Sequence, residues 1–317
     1  MSSKPKRVVP RVKRPSLAIG AGVFGFVSRN NSDGGDVGGV YRKVGYQGEP
    51  GAYSEIAAVQ MEPDADHRAC RTLADVFRLV QAGELDAGAV AVENSLAGSI
   101  GETYDLLIAH DLVVTGETTV PIEHCLLARP GATLADLRRV ISHPQALAQC
   151  RRYLQQTGLE LVPHYNTAGA AKEVAERGDS GLAAVASRRA AEIYGLEVLA
   201  AGIADRAGNQ TRFFCVAPHD GPPAGTTTPG RKWILAVTLP HQPGSLFMAL
   251  ASFACRSINL TRIESRPREG DPWNYTFYLE LESAADGWAV GEALDELRAK
   301  TDWCRVLGSF GTGGQRS

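Results

Sequence analysis

Two arrangements of apolar segments follow one another along the chain, and the change between them predicts two domains. From Val44 onward, short apolar runs bounded by polar turns read as strands: DAGAVAV (86–92), DLVVTGE (111–117), LRRVIS (137–142), GLAAVA (181–186) and LEVLAA (196–201). Between them, Leu73, Val76, Phe77 and Val80 fall at i, i+3, i+4 and i+7, one face of a helix. Leu147, Cys150 and Leu154 mark a second helix, with Pro144 in its first turn. Thr167 and Ser187 stand as N-caps ahead of AGAAKEVAER and RRAAEIYG. Strand and helix in alternation imply a mostly parallel α/β sheet, with ligands expected at strand C-terminal ends and helix N-termini.

The stretch HDGPPAGTTTPG (219–230) breaks this rhythm and reads as a linker. Beyond it the order becomes strand (233–239), helix (244–256), strand (259–265), strand (273–282), helix (286–300), strand (303–310). That is the βαββαβ order of a ferredoxin-like unit, here over 231–311. In its third strand Tyr275, Phe277, Leu279 and Leu281 alternate with lighter or polar neighbours, which predicts one buried sheet face. A unit that follows a Pro/Gly linker is expected to move relative to the domain before it.

Composition narrows the function. The 317 residues are 44% hydrophobic and 21% charged, an ordinary globular balance that suits two modest domains. A formal net charge of -2 offers no basic field for nucleic acid. The six cysteines stand singly at 70, 125, 150, 215, 255 and 304, which is neither a zinc site nor a disulfide framework and suggests a reducing compartment. The seven histidines are scattered, without HExxH, so no metal is predicted. The glycines form neither GxGxxG nor a phosphate loop, so no cofactor is expected. No apolar run reaches the roughly 20 residues of a membrane span. Residues 1–42 read as a disordered basic leader, with an acid-free start (MSSKPKRVVPRVKRPS) that also fits an organelle transit peptide, and 312–317 as a flexible tail.

Four loops at strand ends carry polar residues that a core does not need. YQGEPGAYSE (46–55) combines glycines with Tyr53 and Ser54 as donors. VENSLAGSIGET (92–103) places Glu93, Asn94 and Ser95 at a strand end, Asn94 to hold a hydroxyl or carboxylate and Ser95 to cap the next helix. SHPQALAQC (142–150) sets Ser142 and His143 at a helix entrance, where free N–H groups favour an anion, with Gln149 further along. GNQTRFF (208–214) opens an otherwise apolar strand with four polar side chains.

Together with TAGAAKEVA, and with PGSLF (243–247) and NLTRIESRP (259–267) downstream, these blocks resemble the prephenate dehydratase family with a C-terminal ACT domain. The resemblance runs from Val44 to about Phe310; several blocks are similar to the plant and algal type, and GDPWNY (270–275) to the bacterial one. It implies two α/β lobes around a cleft, like a periplasmic binding protein: 43–119 with 203–218, and 120–202. It implies loss of carbon dioxide and a ring hydroxyl from prephenate, or from arogenate, with Thr211 assisting the departing hydroxide inside a polar network of Asn94, Asn209 and Gln210. Ser142, the backbone N–H groups of 142–145 and Gln149 would hold the side-chain carboxylate, with Ser95 and His143 beside them. Arg212, on the opposite side of the strand from Thr211, would support the cleft from behind or at its rim. In the ACT unit, phenylalanine would bind between two copies at Gly244, Ser245, Leu246 and Phe247 and at Glu264, Ser265, Arg266 and Pro267, in a homodimer or homotetramer. The expected location is the cytoplasm, or a chloroplast if the leader is a transit peptide. A non-catalytic amino-acid sensor is the reading from another class, which the presence of Thr211 disfavours.

Overall fold

The computed structural model describes residues 41–219, 231–268, 271–283 and 287–311; the leader up to residue 40, most of the linker and the tail lie outside them. In chain order the elements are β1 (Lys43–Gln47), α1 (Tyr53–Met61), β2 (Asp66–Cys70), α2 (Leu73–Gln81), β3 (Ala87–Asn94), β4 (Gly98–Ser99), α3 (Gly101–Ala109) and β5 (Leu112–Pro121). The second lobe holds β6 (Cys125–Ala128), β7 (Arg139–Ser142), α4 (Pro144–Gln149), α5 (Arg151–Thr157), β8 (Glu160–Pro163), α6 (Thr167–Arg177), β9 (Leu182–Ala186), α7 (Arg188–Tyr194) and β10 (Glu197–Ala200). The chain then returns through β11 (Gln210–Pro218) to the first lobe and enters β12 (Arg231–Thr238), α8 (Ser245–Ala254), β13 (Asn259–Arg268), β14 (Asp271–Ser283), α9 (Gly287–Lys300) and β15 (Trp303–Gly311). The last six elements have the βαββαβ order.

The local signals explain most boundaries. Thr72 and Asp75 form a reciprocal capping box ahead of α2, whose Leu73, Val76, Phe77 and Val80 are all buried. Ser187 caps α7 through Ala190 N–H, and Gly195 ends that helix in the left-handed conformation. Two expectations shift. The cap of α6 is Asn166, whose side chain accepts from Gly169 N–H, so Thr167 is already helical. The helix through Leu147 and Leu154 is two helices, because Cys150 leaves helical geometry between α4 and α5.

The strands form two sheets. The second lobe's sheet runs β10-β6-β9-β7-β8. The other runs β13-β14-β12-β15-β5-β11-β3-β1-β2, with β4 paired to β3, and so crosses from the βαββαβ unit into the first lobe without a break. The junction is a parallel pairing at Gly308 and Val114, where a Cβ on Gly308 would lie 2.2 Å from the Val114 carbonyl oxygen. Glycine is what lets the two backbones meet.

The βαββαβ unit is therefore not free of the first lobe, contrary to the mobility that its linker suggests. One apolar core joins Val76, Phe77, Tyr104 and Leu107 of the first lobe to Ile234, Ala236, Tyr278, Leu307 and Phe310. The alternation in β14 also buries more than one face: Leu279 and Leu281 face α8 and α9, while Tyr278 and Glu280 are buried against the first lobe. Tyr275 stays exposed.

Candidate active site

A cleft of about 1140 Å³ opens between the lobes, lined from the first by β1, the loop before α1, β3 and β11, and from the second by α4 and the start of α6. Chain crossings near Ile122 and Asn209 connect the lobes, and Ile122 N–H donates to the Asn209 carbonyl. On one side the lobes touch directly. Ser187 donates to the Gly51 carbonyl (2.6 Å), and Glu49 accepts from Tyr165 Oη (3.2 Å) and Lys172 Nζ (3.1 Å).

Thr211 sits on the cleft wall opposite Asn94, its register partner on β3. The Asn94 amide is oriented by its own oxygen, which accepts from the N–H groups of Leu96 and Ala97. Its nitrogen then donates to Thr211 Oγ1 at 2.9 Å and to Asn209 Oδ1 at 2.8 Å. Because Thr211 Oγ1 receives that donor, its own proton can be donated to a ligand in the cleft. Asn209 Nδ2 donates to Gln149 Oε1 (3.3 Å), which also pairs with His124 Nε2 (2.8 Å). A chain of polar groups thus spans both lobes from Thr211 to His124, with Asn94, Asn209 and Thr211 all at least nine-tenths buried.

His124 is 3% exposed and burial pushes its pKa down, so it is neutral near pH 7; burial also lowers that of His143. Tyr53 lies beside His124, donates to the Glu123 carbonyl (2.6 Å), and is pushed well above its usual pKa by burial. Glu49 and Arg71 are the acid and base on the cleft lining, where the N-termini of α1 and α6 also open.

Several sequence expectations need correcting. Ser142 is fully buried and donates to the Val185 carbonyl (2.6 Å) inside the second lobe, away from the cleft. Ser95 caps no helix; it is exposed and accepts from Gln210 N–H (3.0 Å). Gln210 enters the network only through its backbone carbonyl, near Asn94 Nδ2, and its side chain is exposed. Arg212, expected behind the cleft or at its rim, takes the first of these places and lines no part of the cleft, because the strand's alternation turns it to the other face. There it meets Glu280, Glu117 and Glu93, all three from distant parts of the chain. Burial works against its charge, but Glu280 and Glu117 outweigh that and hold the guanidinium above its usual pKa. His143, Gln149, Asn94, Asn209 and Thr211 do line the cleft.

In the βαββαβ unit, Gly244 adopts a left-handed turn (φ 87°) ahead of α8, and Phe247 is 72% exposed. Ser245 and Leu246 are half-buried in the first turn of that helix, and Ser265 and Pro267 are exposed on β13. Glu264 and Arg266 turn toward the first lobe instead. Glu264 bonds Arg262 and Ser99, and Arg266 bonds Asp105 (2.8 Å). Neither is open to a ligand on the far face. Sequence reading missed His124, Tyr165, Asn166 and Thr167 as cleft residues. The polar pair Glu123 and His124 directly ahead of the apolar run of β6 is the local mark of the first.

The model of the prephenate dehydratase family matches residues 44–221, and the chain belongs to that family. It is 42% identical over 277 residues to arogenate dehydratase/prephenate dehydratase 2, chloroplastic, of Arabidopsis thaliana, which covers 84% of this chain and 72% of that protein. Among solved structures it is similar to the prephenate dehydratase of Arthrobacter aurescens in complex with L-Phe, with 33% identity and a TM-score of 0.77 over 85% of this chain and 90% of that one. It is also similar to GqqA, described as a novel type of quorum-quenching acylase, with 37% identity and a TM-score of 0.78 over 87% of this chain and all of that one.

Proposed function

We propose that the protein removes carbon dioxide and the ring hydroxyl of prephenate to give phenylpyruvate, and is inhibited by phenylalanine. The observation that carries this is the Thr211–Asn94 pair, a hydroxyl on the cleft wall held as acceptor, which leaves its proton to be donated to a ligand. In the reaction the bond to the ring carboxylate breaks, its electrons aromatise the ring, and the C–O bond opposite breaks. Hydroxide is a poor leaving group, so a donor held at the departing oxygen lowers the barrier. Thr211 fills that role within its amide network. The ring carboxylate should not be ion-paired, since a strong partner would stabilise the ground state it must leave.

With Ser142 turned inward, the side-chain carboxylate falls to His143, Gln149 and the backbone N–H groups of the cleft's helix starts. Thr211 Oγ1 is bonded to an amide rather than to an imidazole or carboxylate, so it is not arranged as the activated nucleophile of acyl transfer. Purified protein incubated with prephenate tests the proposal through phenylpyruvate formation; no turnover of prephenate or arogenate would refute it and favour a sensor.

Arogenate as substrate is a second reading, favoured by the Glu49 carboxylate on the cleft wall. The two acids differ at a keto or an amino carbon, and an ammonium there gains from Glu49 what a ketone does not, although Lys172 already neutralises part of its charge. Comparing kcat/KM for the two acids decides between them.

For regulation, phenylalanine's carboxylate would meet the turn at Gly244 and Ser245, its ring Leu246 and Phe247, and its ammonium the backbone carbonyls of the edge strand β13 near Ser265 and Pro267, in a dimer or tetramer. Calorimetric titration with phenylalanine tests this. A plastid location, suggested by the names of plant relatives, is tested by the destination of a fluorescent protein fused to residues 1–42.

A further inference from the structure

We infer that the βαββαβ unit sets the geometry of the Thr211–Asn94 pair by gripping, on the opposite sheet face, the residue next to each; this rests on the proposed role of Thr211. In register, Thr211 faces Asn94 and Arg212 faces Glu93. A β-bulge follows at once, between Arg212 and Phe213, so these two pairs are set off from the register of the rest of the strand.

One pair looks into the cleft. The other is held by the C-terminal unit. Glu280 of β14, 2% exposed, takes Arg212 in a two-point contact at 2.6 and 2.7 Å, and Arg262 of β13 bonds Glu93. Lys232 of β12 closes the cluster against Glu117 (2.9 Å) and Glu280 (3.4 Å). Burial disfavours the Glu280 anion, but Arg212, Lys232 and Arg262 together outweigh it and keep the carboxylate charged.

A buried ion cluster is a poor device for stability, because the desolvation of its charges offsets much of their attraction. Its planar two-point contact is a good device for position. Residues adjacent along a strand move together, so a shift of β14 relative to the first lobe pulls Arg212 and with it Thr211. Arg212 and Glu280 are then positioning residues, and the cluster is the path by which ligand bound to the C-terminal unit reaches the cleft.

The test is Glu280→Gln in the full chain, with Glu280→Asp as the variant that keeps the charge and shortens the reach. Glu280→Gln is expected to lower kcat at least tenfold with KM within about threefold, and Glu280→Asp to lie between it and wild type. Combined with Thr211→Ser, the loss from Glu280→Gln should be several-fold smaller than in the wild-type background, because the hydroxyl is already misplaced. Phenylalanine should still bind Glu280→Gln with unchanged Kd while inhibiting it at least fivefold less. Losses that multiply in the double variant, or a lower Tm with unchanged kcat and inhibition, overturn the inference. If Glu280→Gln does not fold, Glu280→Asp carries the same comparisons. Inactive wild-type protein would instead remove the underlying reading, which separates the two failures.

Discussion

Asn94 and Thr211 stand opposite each other on neighbouring antiparallel strands, and the amide nitrogen of the first donates to the hydroxyl of the second at 2.9 Å. The direction of that bond makes the hydroxyl proton available to a ligand. Thr211→Ala should lower kcat by about 10² while leaving KM close to wild type, because the contact strengthens as hydroxide leaves. Thr211→Ser should keep measurable activity. Steady-state kinetics on the two variants check this.

Asn94→Ala removes the donor to Thr211 and Asn209 and strips two backbone N–H groups of their acceptor. It should cost about 1–3 kcal/mol of stability per buried group left unpaired. It should also reduce kcat more than it raises KM, since the hydroxyl loses its orientation. Denaturant unfolding and kinetics on the same preparation separate the two effects.

Ser142→Ala should behave in the opposite way. Its hydroxyl is spent on the Val185 carbonyl inside the second lobe. Stability should fall by about 1 kcal/mol, with kcat and KM unchanged. A rise in KM would return Ser142 to the substrate.

His124 gives a pH dependence. Its folded pKa lies below the unfolded value of about 6.5. As pH falls through 6.5 the unfolded chain takes up a proton there before the folded one does, so stability is full above 6.5 and declines below it. His143 adds to the same decline. Melting temperature measured from pH 8 to 5 should fall below pH 6.5, and less steeply in His124→Gln, which cannot take up that proton. Equal slopes would contradict the assignment.

Gly308→Ala should part β15 from β5, since the added carbon has no room beside Val114. The expected cost is about 1–3 kcal/mol. Thermal unfolding of the full chain reads it.

The α/β alternation, the βαββαβ order and the polar strand start at Thr211 were legible because each rests on residues close in sequence. The cap at Ser187 and the buried face of α2 are of that kind. What could not be read was which remote residues meet. Strand alternation puts Arg212 behind the cleft or at its rim, but does not tell which acid it meets there, because Glu280, 68 residues away, carries no local mark of being its partner. Ser142 looked like an anion ligand because its helix entrance is real; only the fold shows that the hydroxyl points inward to Val185. The independence suggested by the linker failed for the same reason, since the shared core joins Phe77 and Leu107 to Leu307 and Phe310.

The junction at Val114 and Gly308 has a consequence for synthesis. β5 has β11 on one side, and on the other β15, the last of the described strands. During elongation the first lobe can gather β1, β2, β3 and β11, but one edge of its sheet stays open until residues near 311 are made. An open edge offers unpaired N–H and carbonyl groups to any neighbouring chain. Chains that end before β15 thus leave the ribosome with that edge uncovered and a core missing Leu307 and Phe310. They should collect in aggregates rather than as a smaller, unregulated enzyme.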